Sequence, residues 1–525
     1  MIPDSPHPVH SSWQDVLSAA LIGTGRRTVT AVPSISQAAP GAVGELLEQI
    51  PCESPEQALL VSAAVLSSYR RAGTLPARSS GWRIPPCPPD TLPRCNPAAG
   101  RRLAAMVAGD RQALIPEWLR LANRTGLRIP EELLPEMLDY TKKHPHLVAL
   151  LLPCLGERGH WLAWFNPDWS YALAAFAGSS APLTELETAW QTGLRQDRMW
   201  MLRFLRKRDP AAARQLIELT WNEDNAAERA AFLAELEPGV SMEDEPFLEG
   251  CLDNRSVEVR RAAAKLLAKL PASRFVERQT RRLESLVAYK PGQWPLRVNR
   301  LEITLPETCD DEMKRDAIED RPSQGAGQKS RWLESMLSAV PPGTWSSKWQ
   351  KDARDLIRMA NDSEWKEQLL GSWLTATANH GDIEWAEALW SLGRDLRDLY
   401  LVLPANRKET ILIDLIQDNR ITAALDLAVS SGVVLGANAS KILIERFKKY
   451  YLGKPDLHMD YNFRKVIEEM ETTLDPSCTG LASRTLARQA ETDSSWERAV
   501  ARLLDTLEFR QQMLNELQPS KEREE

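Results

Sequence analysis

The stretch DNRSVEVRRAAAKLLAKL, residues 253–270, carries the clearest periodic pattern in the chain. Its apolar residues recur three and four positions apart, at Val259, Ala263, Leu266, Leu267 and Leu270. That spacing places them on one face of an α-helix. The small alanines allow a neighbouring helix to approach closely. The stretch therefore predicts a helix that packs against another helix.

The same spacing occurs in two earlier segments. Arg198, Arg229 and Arg260 are 31 residues apart at each step. Leu202, Leu233 and Ala264 follow four positions later, Leu205, Leu236 and Leu267 seven positions later, and each unit then meets Pro210, Pro238 or Pro271. A period of about 30–45 residues with helical spacing inside it is typical of stacked helix pairs. Because each pair leaves an apolar face that its neighbour must cover, we expect one elongated core.

The stretch 253–270 resembles the second helix of a HEAT repeat, in which an aspartate, a valine–arginine pair, alanines and a leucine pair recur in this order. The resemblance implies an all-α fold, an α-solenoid of HEAT-like helical hairpins. One segment departs from the helical pattern, because apolar and polar residues alternate from Leu301 to Leu305. That alternation predicts a short strand, and hence a minor strand and loop insertion near 296–327.

Breaks in the helical pattern divide the chain into parts. Ser12 is a suitable cap for a helix that begins at Trp13, and seven prolines in 74–98 exclude helix and central strand there, so that segment is expected to be extended. The predicted parts are a disordered N-terminus (1–12), a HEAT-like helical-repeat domain (13–290), a strand and linker segment (291–329), a C-terminal helical domain (330–518) and a charged tail (519–525).

Composition restricts the class of protein. The chain has 525 residues and a formal net charge of −7, which argues weakly against a general nucleic-acid binder. No apolar run approaches the ~18 residues that span a bilayer, and the N-terminus lacks the basic start and apolar core of a secretory signal. We therefore expect a cytoplasmic protein without a membrane partner. The seven cysteines include no Cys-x-x-Cys pair, so neither a disulfide framework nor a zinc site is predicted.

Catalytic motifs are missing from the sequence. Gly23-Thr24-Gly25 is half of a dinucleotide fingerprint, but a predicted helix precedes it where a strand is required. No Walker A, His-Glu-x-x-His or Gly-x-Ser-x-Gly sequence occurs. We expect no cofactor and no catalytic site. An enzyme whose site is formed by residues distant in sequence stays as a third hypothesis.

Three histidines and one aspartate are candidates for metal ligands or catalytic groups. His144 and His146 have no third ligand nearby in sequence, so no metal site is predicted. His160 is expected to pack between the neighbouring tryptophans or to bond a helix end. Asp168 precedes a tryptophan at a helix start, where a carboxylate is usually a cap.

Basic residues are concentrated in one block, at Arg255, Arg260, Arg261, Lys265, Lys269, Arg274, Arg278, Arg281 and Arg282. Residues 251–300 hold 12 basic and 4 acidic side chains, whereas 201–250 hold 6 and 11. Arg261, Lys265 and Lys269 are four residues apart and are expected to share one exposed helix face. The block either pairs with the acidic residues of 201–250 or forms a strip for nucleic acid or an acidic protein.

Several stretches together resemble a bacterial family of helical-repeat proteins of unknown function. They are 20–27 (ALIGTGRR), 155–162 (LGERGHWL), 166–169 (NPDW), 244–249 (DEPFLE), the HEAT-like unit and 301–307 (LEITLPE), within about residues 12–345. Members tend to be encoded beside MoxR-type AAA+ ATPases, von Willebrand A-domain proteins and SWIM zinc-finger proteins. The resemblance implies a non-catalytic scaffold with a protein partner, an AAA+ or A-domain protein. The alternative is a nucleic-acid-binding or helical-repeat base-repair protein that uses the block 255–282.

Overall fold

The structure is a computed structural model, and it describes residues 8–24, 41–73, 85–292, 299–318, 327–393, 397–451, 461–486 and 494–518. The predicted charged tail and Trp82 of the proline-rich segment lie outside these residues. The chain divides into two compact units, residues 1–86 and 87–525. None of the described helices is long and apolar enough to cross a membrane.

The described residues of the first unit form three helices, α1 (Pro8–Ile22), α2 (Ala42–Gln49) and α3 (Pro55–Gly73). Val16, Val43, Leu47 and Leu66 form its small core. The structure starts α1 at Pro8 rather than at Trp13, because a proline without an N–H is well suited to the first turn of a helix.

The second unit begins with a series of helices. They are α4 (Pro97–Val107), α5 (Ile115–Thr125), α6 (Leu134–Lys143), α7 (Val148–Phe165), α8 (Ser170–Ser180), α9 (Leu183–Thr192), α10 (Arg195–Arg208), α11 (Pro210–Thr220), α12 (Ala226–Ala234), α13 (Glu245–Cys251), α14 (Val257–Leu267) and α15 (Arg274–Leu286). Residues 85–96, at the end of the predicted extended segment, contain no helix. Asn96 then caps α4 by accepting a hydrogen bond from the N–H of Ala99.

A two-stranded sheet follows α15, with β1 (Val287–Lys290) antiparallel to β2 (Arg300–Ile303). The strand predicted in 301–305 is therefore confirmed within β2, whereas β1 was not predicted. Its sequence, VAYK, follows α15 directly without a glycine or proline between them. Four residues are too few to show the alternation of apolar and polar residues that predicts a strand. The helix ends where the backbone becomes extended at Val287 (φ −125°, ψ 116°), and β1 then pairs with β2 from Val287–Ile303 to Lys290–Arg300.

Helices resume after the sheet. They are α16 (Asp311–Arg315), α17 (Gln328–Ala339), α18 (Gly343–Trp349), α19 (Ala353–Asn361), α20 (Lys366–His380), α21 (Ile383–Trp390), α22 (Arg397–Val402), α23 (Ala405–Gln417), α24 (Ile421–Ser430), α25 (Ala437–Tyr451), α26 (Tyr461–Thr473), α27 (Thr479–Leu486) and α28 (Ser494–Glu516). The prediction of an all-α fold with a minor β element is confirmed.

The 31-residue period corresponds to alternate helices. Arg198, Arg229 and Arg260 lie on α10, α12 and α14, which pack against one another in that order. The leucines of the period and the whole stripe of the stretch 253–270 are buried, and they are Leu202, Leu205, Leu233, Leu236, Val259, Ala263, Leu266, Leu267 and Leu270. The predicted core face of α14 is therefore confirmed.

The last helix of the second unit packs against its first helix. α28 contacts α26, α27 and also α4. Arg510 on α28 is fully buried, and it donates to both carboxylate oxygens of Glu117 on α5, at 2.7 and 3.0 Å. Arg102 on α4 donates to the carboxylate of Glu516 at 2.6 and 3.0 Å. The succession of packed helices therefore closes on itself within this unit.

We expect Leu266→Ala and Leu267→Ala each to lower the free energy of unfolding by about 2–5 kcal/mol, because both side chains are buried and their removal leaves a cavity. Lys269→Ala, just beyond the same helix, should cost well under ~1 kcal/mol. Chemical denaturation followed by circular dichroism measures all three. Equally small effects at the three positions would show that the stripe does not stabilise the fold.

We also expect Glu117→Gln to lower the free energy of unfolding by about 3–5 kcal/mol, because it leaves the buried guanidinium of Arg510 without a counter-charge. Amide hydrogen exchange in α28 should become faster. Glu508→Gln changes an exposed carboxylate on the same helix and serves as the matched control, with an expected change within ~0.5 kcal/mol. Equal stability of the two variants would contradict a stabilising role for this closing contact.

Candidate functional site

The predicted basic block lies on α14, on α15 and in the turns beside them. Its side chains differ in exposure. The side chain of Lys265 is 67% exposed and that of Lys269 only 22%, while Arg261 is half-buried. The expected common face of these three residues is therefore only partly open to solvent.

Carboxylates and carbonyls of the chain hold the basic residues around α14. Lys265 and Lys269 donate to the two oxygens of Glu237 at 3.0 and 2.6 Å. The hydrogen bond from Lys269 is the main cause that keeps the pKa of Glu237 below its usual value, and Lys265 adds to it. Arg260 donates to the carbonyls of Asn254 and Arg255 at 2.9 and 3.2 Å. Glu237 belongs to the acidic segment 201–250, as the pairing interpretation requires.

Two further arginines of the block form ion pairs on α15. Arg274 donates to both oxygens of Glu245 at 2.7 and 3.0 Å, and this contact lowers the pKa of that carboxyl group. Arg281 pairs with Glu277 one turn earlier at 2.8 Å, where both side chains are largely exposed. Exposed pairs of this kind are worth ~0–1 kcal/mol, so Arg281 can exchange its partner easily.

Asp316 is the centre of the block and was not predicted. Its side chain is 1% exposed, and it accepts hydrogen bonds from Arg278 (2.7 Å), Gln279 (2.9 Å) and Arg282 (2.6 Å). It ends the short helix α16, after which Ala317 adopts a left-handed conformation with φ 60°. Since 37 residues separate Gln279 from Asp316, no local pattern in the sequence indicates the contact.

A second carboxylate extends this network toward α13. Glu249 pairs with Arg278 and with Arg315, each at 2.8 Å. Arg315 also donates to Asp253 at 2.6 Å, and this bond raises the pKa of Arg315 and lowers that of Asp253. Most guanidinium charge of α15 is therefore compensated inside the protein.

A groove of about 480 Å³ borders the block. Arg261 and Lys265 line one side, and Trp332, Glu334 and Asn379 of α17 and α20 line the other. The Nε1–H of Trp332 is buried and has no acceptor within the described part of the chain. Two of the predicted contact residues thus face a groove, whereas Arg278 and Arg282 bind Asp316, which also lines it.

The other residues singled out in the sequence have structural roles. The side chain of Asn166, not Asp168, caps the turn, because Asn166 Oδ1 accepts from the N–H of Asp168 at 3.1 Å; the predicted cap is wrong. Asp168 instead pairs with Lys142 at 2.8 Å. The ring of His144 contacts Tyr140 with 4.3 Å between centroids. Within the described ranges no three His, Cys, Asp or Glu side chains are grouped as metal ligands.

His160 packs on Phe176 with 3.8 Å between ring centroids, rather than between the two tryptophans. Neither ring nitrogen has a hydrogen-bond partner among the residues that the structure describes. Burial lowers the pKa of His160 to about 4, and the nearby Asp90 carboxylate opposes this effect. The ring is therefore neutral in the folded protein at pH 7.

Stability should depend on pH through His160. In the unfolded chain the imidazole binds a proton below pH ~6.5, but in the folded protein only below about 4. Between these values the unfolded state binds more protons, so stability falls as pH drops, by at most ~3 kcal/mol. His160→Phe should remove this part of the slope, measured by denaturation between pH ~7 and ~4. His146→Phe, at an exposed ring, should keep it; equal slopes in the two variants would exclude His160 as the cause.

Comparison with known proteins gives one family. The model of a family of unknown function, DUF5691, matches residues 15–517. No curated protein matches the chain, and no solved structure does. The match extends well beyond residue 345, where the resemblance noted in the sequence ended, so it includes the helices after the sheet. The chain therefore belongs to the DUF5691 family.

Proposed function

We propose that this protein is a helical-repeat scaffold that binds a protein partner through the outer face of α1. The observation that carries the proposal is the exposure of large apolar side chains on that face. Leu17 is 43% exposed and Leu21, one turn later, is 80% exposed. Ile22 beside them is also more than half exposed. The scaffold is proposed to act in the cytoplasm.

α1 is apolar on two faces. Val16 and Ala19 are buried in the core of the first unit, so Leu17 and Leu21 cannot contribute to that core at the same time. A helix that is apolar on both sides normally has both sides covered. Groups of exposed apolar side chains are typical of protein–protein interfaces. These arguments support a protein as the molecule that covers Leu17 and Leu21.

The resemblance to proteins encoded beside ATPase systems suggests which partner to test. We propose a MoxR-type AAA+ ATPase or a von Willebrand A-domain protein. An AAA+ protein would supply the nucleotide chemistry for which this chain has no Walker A sequence. The scaffold would then contribute recognition, not catalysis.

The nucleic-acid alternative receives less support from the geometry. A DNA or RNA phosphate would have to compete with Glu237 for Lys265 and Lys269, and with Asp316 for Arg278 and Arg282. Affinity for nucleic acid depends on the number of phosphates that cationic groups neutralise. Because much of the positive charge of 255–282 is compensated internally, we rank this alternative second.

The proposal is tested with the purified full-length protein and each purified candidate partner, in size-exclusion chromatography and calorimetric titration. We expect one of them to bind, and Leu21→Glu to weaken the affinity at least about tenfold, because burying a leucine contributes about 1.5–3 kcal/mol. Leu60→Glu is the matched control, since Leu60 is a 70% exposed leucine on α3. It should change the affinity less than about twofold.

Two results would contradict the proposal. One is the lack of a complex with either class of partner. The other is a complex that Leu21→Glu and Leu60→Glu weaken equally, because the outer face of α1 would then have no special role.

A further inference from the structure

A second groove, of about 730 Å³, lies beside α23 and α24, and three arginines line it. These two helices are joined by a turn of three residues and pack against each other. Arg407 is near the start of α23, and Arg397 donates to the carbonyl of Ser430 at the end of α24. Arg420 immediately precedes α24. Arg397 and Arg407 therefore lie at one end of the groove, and Arg420 lies at the other.

Positive charge in this groove is poorly compensated. Within the part of the chain that the structure describes, neither Arg397 nor Arg420 has a carboxylate at ion-pair distance. Arg407 binds Glu387 through Nε alone, at 2.8 and 3.0 Å. Its two Nη groups have no acceptor among the same residues. In contrast, the buried guanidiniums of Arg206 and Arg510 have carboxylate partners.

Two carboxylates also line the groove, and they affect the charge balance differently. Asp426 is paired with Lys465 at 2.5 Å, and Lys465 also lies 3.6 Å from Glu469, whose pKa burial and the neighbouring Asp426 raise to about 7. Asp414 is exposed on α23 close to the Arg420 end. With Arg407 paired to Glu387, Arg397 and Arg420 are the lining arginines without a carboxylate partner among the described residues, and Asp414 is the lining carboxylate without a cationic partner there. The groove as a whole favours an anion.

Apolar side chains also line the groove. They are Trp390, Leu415, Ala423 and Leu427, and Asp426 in the middle of α24, bonded to Lys465, lies among them. α24 has 10 residues and is therefore about 15 Å long. An extended peptide covers that distance with roughly four or five residues at about 3.3 Å each. Arginine binds carboxylates with two parallel hydrogen bonds, which favours a peptide whose acidic residues lie at both ends.

We propose that this groove binds an extended acidic peptide segment of a protein partner. One carboxylate lies between Arg397 and Arg407, and another lies at Arg420, roughly four residues away. An apolar side chain of the peptide packs against Trp390 and Leu427 between them. The inference rests on the proposed function, because the peptide belongs to the partner protein. The residues of the groove belong to the second unit, whereas α1 belongs to the first.

The test uses a fluorescein-labelled synthetic peptide with two glutamates roughly four residues apart, a leucine between them and glycine–serine flanks. Fluorescence anisotropy with the full-length protein at low ionic strength measures its affinity. We expect saturable binding that weakens with salt. A peptide with glutamine in place of both glutamates should bind about tenfold more weakly or worse.

Arg420→Glu provides the matched change in the protein, because its side chain is exposed and makes no capping hydrogen bond. It should weaken binding about tenfold and abolish the difference between glutamate and glutamine at the matching peptide end. Arg358→Glu, at an exposed arginine of α19, should change the affinity less than about twofold. The circular dichroism melting curves of both variants confirm that they remain folded.

Lack of saturable binding, or equal weakening by Arg420→Glu and Arg358→Glu, would overturn the inference. Neither result affects the complex tested through Leu21. Conversely, the peptide could bind as expected while neither candidate partner forms a complex. That result would support the peptide-binding groove and contradict the proposed partner.

Discussion

The fully buried guanidinium of Arg510 restricts the second unit more than any single apolar contact. A charge removed from water must be matched by a counter-charge and hydrogen bonds, or the fold loses several kcal/mol. Glu117 on α5 provides the carboxylate, and the carbonyls of Glu471 and Leu474 accept from Nη1 at 3.0 and 2.6 Å. These partners come from both ends of the unit, so α28 can satisfy Arg510 only in one position.

Other buried arginines constrain neighbouring helices in the same way. Arg206 on α10 is buried and pairs with Asp244, which is buried too. Its Nε–H also donates to the carbonyls of Leu236 and Pro238. Arg198 pairs with Asp224 at 2.7 Å and stacks on the ring of Trp190 at 4.1 Å. Apolar surfaces can slide past each other, whereas these bonds permit one register. The buried ion pairs therefore determine the register of the stacked helices, whereas the leucine period only makes their packing possible.

The sequence predicts the helical class and the buried stripe of α14 because both follow from local spacing. Of the two interpretations that the sequence leaves open for the basic block, the ion pairs of Glu237 and Glu245 agree with pairing to 201–250. The sequence could not indicate the role of Asp316 or the contact of Arg510 with Glu117, which is 393 residues away. Such contacts depend on how stacked helices accumulate rotation along the chain. Neither groove is visible in the sequence, because each combines residues from several helices.

The contact of α28 with α4 has a consequence for the two ends of the helical series. An open stack of repeats exposes an apolar face at each end and needs special terminal units with polar outer surfaces to remain monomeric. Here Phe509 and Met513 pack into the cluster formed by the first helices of the unit. Each end thus covers apolar surface of the other, so the side chains of Phe509 and Met513 are not available for end-to-end association into filaments.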